Sequence, residues 1–161
     1  MGLYEETLIQ HDYIEVREAN VLPDGLDGVW LGDLILIKRN LPERKKVEVL
    51  FEELAHNKLT YGDITDQKKF NNRKFENYAR RYSYETSMPL SGIVEAFKQG
   101  VHNLYELANF FEISEGHVLD CIEHYKRKYG IGTHYGNYSI TFEPLRVFEV
   151  RKIGGIKFEK E

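Results

Sequence analysis

The chain has a single cysteine, Cys121, so no intramolecular disulfide can form and the sequence reads as intracellular. It has no long apolar run: nothing approaches the ~20 residues that a membrane span requires, and no membrane contact is expected. It has no basic surplus. Among 161 residues, 22 Lys and Arg stand against 26 Asp and Glu, for a formal net charge of −4 and a pI of about 5.9. That balance argues against a general binder of nucleic acid or acidic membranes, while leaving room for a local basic patch. The first residues, Met1-Gly2-Leu3-Tyr4-Glu5-Glu6, lack the basic lead and apolar core of a signal peptide. Glu6 stands where N-myristoylation needs Ser or Thr. A cytoplasmic protein is expected. Internal repeats and low-complexity tracts are also absent.

The apolar share is 42%, and eleven Tyr and nine Phe enrich it, so one real core can form. The length fits one domain, or one compact domain with a lobe. Residues 3–10 suit a short helix or arm. Tyr13-Ile14-Glu15-Val16-Arg17 alternates apolar and charged residues, as a half-buried strand does. Leu22-Pro23-Asp24-Gly25 reads as a turn. Gly28 to Leu31 and Leu34 to Lys38, joined by Gly32-Asp33, read as a hairpin. Together these predict a small antiparallel sheet with one face open to a helix. That helix is expected over 42–57, with Pro42 in its first turn, followed by a loop over 57–67. A second long helix is expected over 68–86, with Phe75, Tyr78, Ala79 and Tyr82 as its apolar stripe. Shorter helices follow at 91–98, 103–112 and 114–128, with Asn103 and Ser114 as N-caps and Gly130 and Gly132 as the stop. Tyr138 to Phe142 and Val147 to Val150 read as a closing hairpin around Pro144. The tail from Lys152 is rich in glycine and charge.

The helix at 42–57 carries the chemistry. Glu52 and His56 are four apart and share one side, with Glu53 turned by about 100° between them. Val49, Leu50, Leu54 and Ala55 supply its apolar remainder. This spacing is that of the H-E-x-x-H zinc helix, with Glu52 in place of the first histidine. A carboxylate oxygen binds zinc at about 2.0–2.2 Å, so the exchange keeps a ligand-type atom. The same spacing also suits a solvated ion pair. A third ligand has to come from elsewhere, and Glu76 is the best candidate. Beside Lys74 and Arg80, Glu76 also suits a surface ion pair.

Several stretches, taken in order and spacing, carry a resemblance. They are Phe51-Glu52-Glu53-Leu54-Ala55-His56, Tyr61-Gly62-Asp63-Ile64, Asn72 to Glu85, and Met88-Pro89. They continue with Ile93-Val94-Glu95-Ala96-Phe97, Asn103 to Ala108 and Tyr125 to Gly130. Over roughly residues 3–145 the chain resembles the ImmA/IrrE metallo-endopeptidases, in the phage and mobile-element branch. The resemblance implies an α+β, gluzincin-like (thermolysin-like) domain over 1–145. Residues 1–89 would hold the sheet and metal-site helices, and 90–130 a helical, helix-turn-helix-like lobe. A C-terminal strand and tail, 146–161, would follow. It implies Glu52, His56 and Glu76 as metal ligands and Glu53 as general base. The cofactor implied is zinc, with manganese as the alternative, because two carboxylates favour a harder ion. The branch includes members with Glu-Glu-x-x-His. Where relatives carry Asn after the position of Ala79, this chain has Arg80, a cation one turn from Glu76. The function implied is cleavage of a helix-turn-helix repressor, and so derepression of a prophage or mobile element. A weak or inactive family member that sequesters the repressor is the first alternative. A DNA-binding regulator is the second.

Tyr105 to Val118 has the cadence of a helix-turn-helix. Its second helix opens on Ser114, Glu115, Gly116, His117 and Asp120, and acids there repel phosphate. It is therefore expected to be core scaffold or a protein-docking face, without direct nucleic-acid contact. His117 and His124 lie seven apart and are candidate extra ligands, or ordinary histidines. Cys121, among Val118, Leu119 and Ile122, is expected to pack in the core. Tyr61, in the loop after the metal helix, is the candidate transition-state stabiliser.

Overall fold

The computed structural model describes residues 2–60 and 72–150, apart from the side chains of residues 24, 59, 60 and 72–76. Helix α1 (Leu3–Gln10) leads into strand β1 (Glu15–Ala19). A short 3-10 turn, Pro23–Gly25, precedes β2 (Gly28–Trp30) and β3 (Leu34–Lys38). The hairpin expected at Gly32-Asp33 is present. Gly32 takes φ +96 at the first central position, as a type II′ turn needs.

The sheet differs from expectation in one respect. It is mixed, in the order β1-β3-β2. β2 pairs antiparallel with β3, but β1 runs parallel to β3, from Glu15 opposite Leu34 to Ala19 opposite Lys38. The reason lies in burial. Leu34 to Lys38 is the most apolar strand, and Ile35 and Ile37 are fully buried. Such a strand belongs in the middle, so the chain carries β2 to the far edge before β3 returns between the two. β2 is therefore an edge strand.

Helix α2 (Glu43–Thr60) covers this sheet. Val47, Leu50, Phe51, Leu54 and Ala55 recur at helical spacing and are buried. The helix runs past residue 57, into the segment expected to be loop. Asn57 is buried there, and its side-chain amide donates to the Gly32 carbonyl at 3.4 Å. Helix α3 (Asn72–Ser87) packs along α2; the first residues of the helix expected from 68 lie outside the described ones.

Helices α4 (Leu90–Lys98), α5 (Leu104–Phe111) and α6 (Glu115–Tyr129) follow as expected. Asn103 accepts from the Glu106 N–H at 2.8 Å and Ser114 from the His117 N–H at 3.1 Å, so both caps form. Gly130, at φ +79, ends α6. Beyond it lies a second sheet, β4 (Gly132–Tyr135), β5 (Tyr138–Phe142) and β6 (Leu145–Glu149), antiparallel in that order. β5 and β6 are the expected hairpin, and β4 is an additional strand. Phe142 stacks on Tyr125 of α6 with ring centroids 5.6 Å apart, which ties this sheet to the helical part. Among the described residues, no helix is long and apolar enough to cross a membrane. The tail from residue 151 lies outside the described residues.

Candidate metal centre

Two stripes run down α2. One is the apolar stripe against the sheet. The other, Lys45, Val49, Glu52, Glu53 and His56, faces a cleft of about 420 Å³. Val49, expected among the apolar packing residues, is half-buried and lines this cleft. The opposite wall is the run of residues 26–30, which includes the edge strand β2. Helical periodicity accounts for both stripes, since the two sets of positions are offset around one helix.

Among the described residues one group of three ligand-type side chains comes together. Glu52, Glu53 and His56 each offer an atom, and these atoms lie within 4.8 Å of one another. Glu53 is buried, while Glu52 and His56 are half-buried. Two carboxylates and an imidazole at this separation suit a first-row divalent ion. Glu76 lies on the first half of α3, and its side chain is outside the described residues. Tyr61 falls outside them entirely. Arg80 is exposed on α3. Its charge and that of Glu52 both act on Tyr84, whose pKa burial raises.

Gly28 is a site residue that the sequence alone did not single out. A Cβ there would lie 2.3 Å from Val49 Cγ1 and 3.5 Å from Glu53 Oε1. Only a bare backbone lets β2 approach the helix this closely, and that approach walls in the Glu53 carboxylate. A glycine inside a strand was the available signal. Gly28→Ala is expected to lower the unfolding free energy by about 1–3 kcal/mol, measured by urea denaturation. Adding Val49→Ala removes the clashing methyl and should restore most of that loss. If the double variant is no more stable than Gly28→Ala, the contact is not the cause.

One turn before Glu52, the Glu48 carboxylate is buried and ties α2 to α6. It accepts from the Ser114 N–H at 2.9 Å, and His117 Nδ1 lies 3.7 Å away. His117 Nε2 meets the Ser87 hydroxyl at 2.9 Å. The start of α6 is thus bound to α2 and α3. His117 and His124 are both buried, His117 beside Ser87 and His124 beside Glu85 at 2.7 Å. Neither joins the cluster at Glu52. Cys121 is fully buried as expected, and burial pushes its thiol up to about 12, so it is no thiolate nucleophile.

Burial also pulls the His117 pKa below its ordinary 6.5, against the opposing pull of Glu48 and Asp120. The unfolded chain then binds a proton that the folded chain refuses. Stability is therefore full above pH 6.5 and falls as the pH drops from there toward the lowered folded value. The slope from this one group is at most about 1.4 kcal/mol per pH unit. His117→Gln is expected to flatten the stability profile between about pH 7 and pH 5. An unchanged slope in urea titrations would remove His117 as its source.

An acid-and-imidazole cluster on a helix thus faces the edge of a small sheet in an α+β chain, a group of side chains that could hold a metal ion. The family model for the IrrE N-terminal-like domain, peptidase M78, matches residues 13–120, and the chain belongs to that family. It is an ImmA/IrrE family member and metallopeptidase-like. The match covers the mixed sheet, both long helices, α4, α5 and the first turns of α6. No curated protein matches the chain.

Proposed function

We propose that the chain is a metal-dependent endopeptidase of gluzincin-like design, acting on a helix-turn-helix repressor of a phage or mobile element. The observation that carries this is the convergence of Glu52, Glu53 and His56 within 4.8 Å across a cleft from an edge strand. In this reading Glu52, His56 and Glu76 hold zinc or manganese. When bound, the ion supplies Lewis-acid chemistry, polarising the scissile carbonyl and acidifying the attacking water. Glu53 takes the water proton and delivers it to the leaving nitrogen. Among the described residues the outer edge of β2 pairs with no further strand, and it offers backbone groups for an extended substrate to pair with. The wall from Leu26 to Trp30 holds that substrate against α2.

The experiment is to purify the full chain, measure bound metal by elemental analysis, and follow repressor integrity by mass spectrometry with zinc, with manganese or with chelator. Cleavage that chelation stops and metal restores is expected. A chain that holds no divalent ion under any of these conditions would overturn the reading. A second reading rests on Glu52 itself. A carboxylate in the first ligand's place weakens zinc binding, and a member with a weakened site could bind the repressor without cutting it. Stable capture of intact repressor by the metal-loaded chain would favour that alternative.

A further inference from the structure

Away from the metal cleft, α3 and α6 enclose a groove of about 470 Å³. Tyr78, Arg81, Tyr82 and Glu85 recur along α3 at spacings of three and four, so they share one face. His124, Arg127 and Lys128 do the same on α6. In a chain of formal net charge −4 this is a local reversal of sign. Among the described residues the one carboxylate lining the groove, Glu85, is already occupied. His124 Nε2 and Lys128 Nζ each lie 2.7 Å from its Oε2.

Two further cations are held by rings. The Arg81 guanidinium lies 4.9 Å from the Tyr78 ring centroid, and the Lys58 ammonium lies 5.2 Å from that of Tyr82. Tyr78 itself is 55% exposed. Stacking on an aromatic face fixes a guanidinium while leaving its N–H edge open to an incoming acceptor. Among the described residues, Arg127 has a long, exposed contact to Glu123 at 3.8 Å, which costs little to exchange.

We propose that this groove docks an acidic peptide segment of a partner protein, with its carboxylates on Arg81 and Arg127 and its apolar side chains on Tyr78 and Tyr82. Charge complementarity selects an anion. The distribution of charge selects a peptide over a polynucleotide. Glu85 interrupts the cations within the groove, and Asp120 and Glu123 lie on the same flank of α6 as Arg127. A nucleic-acid strand carries a charge on every nucleotide, with no neutral position to spare, and would set phosphates against those acids. A peptide can alternate carboxylates with neutral side chains and avoid them. None of the described groove residues lines the metal cleft, so docking is separable from hydrolysis.

The test is fluorescence anisotropy of the full chain with a labelled peptide of alternating glutamate and leucine, against an oligothymidylate of equal formal charge. Saturable peptide binding is expected, weaker as salt rises. Arg81→Glu combined with Arg127→Glu should weaken it by about tenfold or more. Tyr78→Ala should weaken it with no change of net charge. Circular dichroism and thermal melting check that the variants fold. If the double reversal does not fold, Arg81→Ala alone carries the test, since that side chain is exposed. Absence of saturable binding overturns the proposal. So does unchanged affinity in the folded charge variants, or tighter binding of the oligonucleotide than of the peptide.

Discussion

Glu53→Gln is expected to cut peptide-bond hydrolysis by about 10²–10⁴-fold, the range of general acid–base catalysis. The side chain is 8% exposed, and its carboxylate stands within 4.8 Å of the ligand atoms of Glu52 and His56. Glutamine keeps the shape, so the packing of β2 at Gly28 survives. It does not keep the ability to take a proton near neutral pH. Metal content and repressor binding should then stay close to wild type while turnover collapses. The two measurements divide the roles of the adjacent glutamates. If metal content falls together with turnover, Glu53 is a ligand and not the base. If turnover persists, the proton goes elsewhere and the assignment of Glu53 fails.

The sequence made the candidate site readable because one helix carries most of it. The spacing of Glu52, Glu53 and His56 is a local property, set by 3.6 residues per turn. Nothing beyond that helix is needed to foresee their convergence. The hairpin at Gly32-Asp33 and the caps at Asn103 and Ser114 were readable for the same reason, since each depends on a few consecutive residues. What escaped was relational. The parallel pairing of β1 with β3 depends on which strand is buried deepest, and no single segment states that. β4 contributes little apolar alternation, with His134 and Tyr135 exposed at a sheet edge, so periodicity missed it. The helical run to Thr60 carries Asn57, whose side chain bonds to a hairpin distant in sequence, a contact no local segment states. Nothing in the local sequence sets Glu48 apart from other charges on the helix, and only the docking of α6 buries it against Ser114. Gly28 matters because of Val49, a neighbour 21 positions along the sequence. The α3–α6 groove likewise joins two helical faces that are each unremarkable alone.

Glu52→His is the complementary change, expected to tighten zinc binding by about tenfold or more, which is about 1.4 kcal/mol. It restores the imidazole of the H-E-x-x-H pattern at the same helical spacing from His56, so the backbone need not move. The argument is one of charge and softness. Two carboxylates and one imidazole cancel the charge of a divalent ion, whereas two imidazoles and one carboxylate leave it one positive charge. Imidazole also suits zinc better than manganese. Chelator competition should therefore show zinc gaining over manganese, and hydrolysis with zinc should rise. Unchanged zinc affinity would mean that side chain 52 does not touch the ion. In that case His56, Glu53 and Glu76 become the set to test as ligands, and the departure from histidine at position 52 has no bearing on catalysis.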